Sequence, residues 1–105
     1  MDITQAENIR QLRATILRTV YDNHRQQQSR LRLVLLEGML ERLFFEVARN
    51  DLIAVLQDLK ERGYLNFRED RDRYTRKVNI GEIQITPKGR DLVEKTETDE
   101  AVDFD

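Results

Sequence analysis

Residues 44–65 read FFEVARNDLIAVLQDLKERGYL. Leu52, Val55, Leu56 and Leu59 recur at the spacing of one helix face after a polar start, and the run stops at Gly63 before leaving as Tyr64-Leu65. That pattern predicts a helix closed by a glycine cap, with a strand behind it. If the four apolar residues face a core, a step of about 100° per residue turns Asn50, Ala54, Gln57, Asp58 and Glu61 outward. Arg49, Ile53 and Lys60 then lie on the flanks.

Upstream, Ile9, Leu12, Ile16, Leu17 and Val20 form an apolar stripe that predicts an amphipathic helix from Thr4 to about Asn23, opened by the capping pair Thr4 and Glu7. Between Ile9 and Arg32 six arginines face one acid, Asp22. This most basic segment suits either a solvated helix face or phosphates. His24 stands alone, with no second His and no Cys, so a tetrahedral metal site is not expected. Ser29 is a candidate N-cap for a second helix from about Arg30 to Leu43, through Leu33, Leu36, Met39 and Leu40. Gly38 inside it costs about 1 kcal/mol relative to Ala, which a tight crossing with the first or third helix would explain. Phe44–Ala48 reads as a turn. Two adjacent aromatics cannot both point inward from it, so Phe44 or Phe45 is a candidate dimer contact.

Beyond Gly63 the period changes to two. Leu65 and Phe67 alternate with Asn66 and Arg68. Val78, Ile80, Ile83 and Ile85 supply a second apolar face, with a slip at Gly81-Glu82 that predicts a β-bulge. Two strands are expected, Tyr64–Arg71 and Arg73–Thr86, joined by a polar tip. Thr86 and Pro87 then open a last helix that fades near Glu97, anchored by Leu92 and Val93.

At 105 residues the chain reads as one domain with a tail. The net charge is −2; residues 97–105 carry −5 with no Lys or Arg, which leaves +3 on residues 1–96. The tail is expected to be disordered, as a solubilising extension or as an acidic competitor for a basic groove. Absence of cysteine excludes a disulfide framework, and no apolar run is long enough to span a bilayer. The cytoplasm is the expected compartment. One Ser, one His, no glycine-rich phosphate loop and no His pair give no basis for an enzyme, a metal or another cofactor.

The order helix, helix, helix, strand, strand, helix, with LQDLKERGYL running into a hairpin and ITPKGRDLVE closing it, resembles the winged helix-turn-helix family. Leu56, Leu59, Gly63, Tyr64 and Leu65 carry the likeness at the exit of the third helix, and Ile85, Thr86, Pro87, Gly89 and Leu92 carry it after the wing. It covers about Leu12 to Glu94. The resemblance implies an α+β winged helix, a three-helix bundle with a two-stranded wing and a short C-terminal helix. It also implies a DNA-binding protein, a transcriptional regulator or architectural binder, similar to the small stand-alone kind found in bacteria and their prophages. Where Ala48 stands, the family commonly has a capping Ser or Thr.

On that likeness the third helix enters the major groove and the wing meets phosphates. Arg49, Asn50 and Gln57 would read or orient on bases. Lys60, Arg71, Arg73, Arg76 and Lys77 would hold phosphates. A homodimer is expected, paired through the first helix (Ile9, Ile16) and Phe44 or Phe45. The wing from Arg68 to Lys77 carries five cations against three acids, a net +2, while Asp58 and Glu61 sit on the outer face of the third helix. Those acids keep open a reading from another class: a winged-helix module that binds a protein partner and no DNA.

Overall fold

Long-range order in this chain grows from two turns, at Gly63 and Thr86, that hold a hairpin against a helical bundle. The computed structural model describes residues 3–25, 31–43 and 45–104, with side chains from residue 8 onward. It is an α+β arrangement of α1 (Ile3–Arg25), α2 (Leu33–Arg42), α3 (Arg49–Glu61), β1 (Leu65–Arg71), β2 (Val78–Ile85) and α4 (Pro87–Val93). The strands form one two-stranded antiparallel sheet.

The apolar stripes meet in a single core. Ile16, Leu17 and Val20 of α1 pack with Leu36 and Leu40 of α2, Leu52, Leu56 and Leu59 of α3, and Leu65, Ile83 and Leu92. Val55 is half-buried at its edge. α3 ends in a Schellman motif: Gly63 adopts φ 84°, its amide donates to the Lys60 carbonyl at 2.9 Å, and the Tyr64 amide donates to Leu59 at 3.0 Å. Thr86 caps α4 by accepting from the Gly89 amide at 3.0 Å, with Pro87 at the first helical position.

The hairpin slips as its sequence predicts. Asn66 pairs with Gln84 and Arg68 with Gly81, so Glu82 and Ile83 together oppose Phe67, and Glu82 takes φ 53°. At the tip the Asp72 carboxylate accepts from the amides of Tyr74 (2.8 Å) and Thr75 (3.3 Å). Those bonds hold its pKa below the ordinary carboxylate value.

Three expectations are corrected. The second helix starts at Leu33 and not at Arg30, because Leu31 is extended and bridged to β2: the Ile83 amide donates to the Leu31 carbonyl at 3.0 Å. Ser29 lies outside the described residues. Gly38 makes no tight crossing, since a Cβ built there meets nothing within 4 Å. The close approach belongs to Gly89, where a Cβ would collide with the Tyr64 carbonyl oxygen and lie 2.8 Å from Ile85 Cγ1. Finally, the acidic C-terminal segment is ordered against α1. Val102 is 6% exposed within the core, the Asp103 amide donates to the Arg10 carbonyl at 3.2 Å, and Arg18 stacks over Phe104 at 5.6 Å. Composition hid this because two apolar anchors, Val102 and Phe104, sit among five acidic residues.

Candidate nucleic-acid interface

α3 and the hairpin share one side of the molecule, and the side chains between them set what that side can bind. Gln57 Nε2 donates to Glu69 Oε1 at 3.3 Å, and Lys60 Nζ donates to the Phe67 carbonyl at 3.2 Å while lying 4.6 Å from the Phe67 ring centroid. Both contacts tie α3 to β1. Arg49 turns the other way, toward α2, where Nη2 and Nε reach Glu37 Oε1 at 2.7 and 3.1 Å. Asn50, Ala54 and Glu61 are exposed. Ala48 precedes the helix in extended conformation without a side-chain cap.

Asp58 is not part of the outer face. Its carboxylate lies 2.9 Å from Arg62 Nε and 3.1 Å from Arg13 Nε, while Arg13 Nη1 donates to the Ala101 carbonyl at 3.1 Å. Arg62 is also 3.9 Å from Asp99, which accepts from the Tyr64 hydroxyl at 2.5 Å. The hydrogen bond to Asp58 raises the Arg62 pKa further. Burial, reinforced by Asp99, pushes the Tyr64 hydroxyl up to about 12, and the Tyr64 bond holds Asp99 below the ordinary carboxylate value. An acid of α3, two arginines and an acid of the C-terminal segment therefore form one structural network. The outer face of α3 keeps Glu61 and the first-turn Asp51 as its exposed acids.

The hairpin tip differs in kind. Arg71, Arg73, Arg76 and Lys77 are exposed, and among the described residues none of them forms an ion pair. Arg76 adopts φ 57°, inside a tip closed by its own amide donating to the Asp72 carbonyl at 2.9 Å. Arg68 is turned along its strand toward Asp70 at 3.5 Å.

The sequence reading missed a cleft of about 470 Å³ between the start of α2 and the hairpin, where Arg32 and Arg68 join Arg49 opposite Asp70 and Glu82. The isolated bridge between Leu31 and Ile83 helps bring these segments together, and a single extended residue leaves no periodicity to detect.

The expected dimer contacts fare differently. Ile16 is 0% exposed inside its own chain, so it presents nothing to a second copy. Ile9 is half-buried, Phe45 packs partly against the core, and Phe44 lies outside the described residues. Exposed large apolar side chains occur instead on and after α2: Val34 at 68%, Leu35 at 47% and Leu43 at 51%. His24 Nε2 stands 3.3 Å from Arg90 Nη1. Among the described residues no group of three His, Cys, Asp or Glu could hold a metal ion, and no helix is long and apolar enough to cross a membrane. Comparisons with protein-family models, curated proteins and solved structures return no match.

Proposed function

We propose that this chain is a winged-helix DNA-binding protein that holds duplex DNA chiefly through its wing, as a transcriptional regulator or architectural binder. The observation that carries the reading is the wing tip, where Arg71, Arg73, Arg76 and Lys77 project without acidic partners. Surface arginines and lysines are ordinarily worth little to a fold, and cations left without in-chain carboxylates are available to neutralise phosphate and release counterions. On α3 the roles narrow. Arg49 and Lys60 are engaged inside the chain. Asn50, exposed in the first turn, is the base-reading candidate, and Gln57 serves only after leaving Glu69.

A titration of the full chain against random-sequence duplex at about 50 and 200 mM salt tests this. Binding that weakens steeply with salt is expected. Absence of binding at the lower salt overturns the reading and leaves the second one, a winged-helix module for a protein partner. That second reading is favoured by the exposed Val34 and Leu35 and by the in-chain engagement of the α3 cations.

A further inference from the structure

We propose that α2 is a homodimer helix, pairing with α2 of a second copy in parallel about a two-fold axis, with Gly38 at the crossing. The argument begins with a cost that the chain itself does not explain. Glycine in a helix interior is unfavourable relative to alanine, and among the described residues a Cβ at position 38 would meet nothing within 4 Å. Space there admits another backbone from outside.

Gly38 is also central to the face that α2 leaves unburied. Leu33, Leu36 and Leu40 point into the core. At about 100° per residue the opposite direction falls on Gly38, with Val34 and Glu41 on one side of it and Leu35 and Arg42 on the other. A shallow groove of about 600 Å³ runs here, lined by Arg32, Val34, Leu35, Gly38, Met39 and Arg42. Val34 is 68% exposed, and among the described residues neither Glu41 nor Arg42 forms an ion pair.

The placement of charge selects the partner and its orientation. A two-fold axis parallel to the helix sets each side of the face against the other side of the second copy at equal height. Val34 then meets Leu35 of the second copy and Glu41 meets Arg42, with every contact made twice. An axis across the helix would set Glu41 against Val34 and Arg42 against Leu35, leaving both charges over apolar side chains. The face is therefore self-complementary in the parallel arrangement. A ten-residue helix buries little area, so the dimer is weak and concentration-dependent. This inference does not rest on the DNA reading, and association is measured without DNA.

Sedimentation velocity of the full chain from about 1 μM to 1 mM is the test. A monomer–dimer equilibrium is expected. Val34→Asp weakens it at least ~tenfold by placing a charge at the seam, while Glu41→Arg and Arg42→Glu each weaken it about fivefold. The combined Glu41→Arg/Arg42→Glu swap recovers most of the loss, because it rebuilds both pairs with their signs exchanged. Gly38→Ala raises the unfolding midpoint of dilute protein yet weakens association, a combination that a purely structural glycine would not give. Circular dichroism on each variant establishes folding, which exposed positions 34, 41 and 42 should tolerate. A chain that stays monomeric at about 1 mM leaves this face to a different protein and overturns the proposal. So does a Val34→Asp variant as dimeric as the parent, or a charge swap that recovers nothing.

Discussion

The Thr86 hydroxyl donates to the Gly63 carbonyl at 2.5 Å and accepts from the Gly89 amide at 3.0 Å. One side chain thereby joins the end of α3 to the start of α4, and the Thr86 amide adds a bond to the Tyr64 carbonyl at 3.1 Å. β1 leaves from this point and β2 returns to it, so the base of the hairpin is clamped at both strands. The direction in which the basic tip projects from α3 follows from that clamp.

Replacing Thr86 with Ala removes the cap and the donor together. A lost cap costs about 1 kcal/mol, and the Gly63 carbonyl loses a partner in a half-buried place. For a chain of this size each kcal/mol moves the midpoint by roughly 4–8 °C. Thermal melts should show a drop of about that size for Thr86→Ala and recovery of most of it in Thr86→Ser, which keeps the hydroxyl. An alanine variant as stable as the parent would show that the clamp contributes nothing.

Glycines at 63 and 89 should resist substitution for different reasons. At φ 84°, Gly63 is in the left-handed region, and an alanine there costs about 1–2 kcal/mol of backbone strain. Gly89 lies against the backbone of Tyr64, which has no rotamer by which to yield, so Gly89→Ala forces α4 away from the sheet at about 1–3 kcal/mol or more. Urea midpoints measured for both should fall, with a Gly89→Ala variant of unchanged midpoint ruling out the close packing.

Tyr64 and Asp99 give the chain a pH dependence at both ends. Asp99 is held below its unfolded pKa of about 3.9, so its contribution is present above that pH and is lost as pH falls through its folded value. Tyr64 is raised to about 12 against about 10 unfolded. Its contribution is complete below pH ~10 and disappears as pH rises toward ~12. Tyr64→Phe should abolish the stability loss across that alkaline window and weaken the docking of the C-terminal segment. Denaturant midpoints at a series of pH values check this; a phenylalanine variant with the parent's alkaline profile assigns the titration to another group.

Much of this architecture was legible in the sequence because its signals are local. Periodicity in α1 and α3, the glycine stop at 63, the Thr86-Pro87 start and the slip at Gly81-Glu82 each arise from residues within a turn or two of one another. What escaped the reading depends on distant partners. Asp58 looked like an outward acid because a helical wheel knows nothing of Arg13, 45 residues earlier and across the bundle. The C-terminal segment looked disordered because its composition is acidic, while Val102 and Phe104 find their apolar surroundings on α1. Gly38 and Gly89 were indistinguishable as letters, and only the position of Tyr64 separates them. Candidate base and phosphate contacts were named from a likeness and a wheel, and the in-chain bonds of Arg49, Gln57 and Lys60 were invisible to both.

Those bonds divide the candidate residues into groups with separable behaviour. Arg73, Arg76 and Lys77, free of ion pairs among the described residues, should act on phosphate alone. Their joint replacement by Ala should weaken binding to all duplexes alike and reduce the salt slope by about three, close to one per lost phosphate contact. Asn50→Ala should leave the slope unchanged and compress the difference between preferred and random sequence, by roughly 1–3 kcal/mol if the amide makes a bidentate contact with adenine. Lys60→Ala should act mainly on stability, since its ammonium is held by the Phe67 carbonyl and ring. Salt-dependent fluorescence titrations and thermal melts on the same three variants read these effects apart. A triple variant of the hairpin tip with the parent's slope would remove the tip from the proposed interface, and a Lys60→Ala variant with intact stability but a reduced slope would return α3 to it.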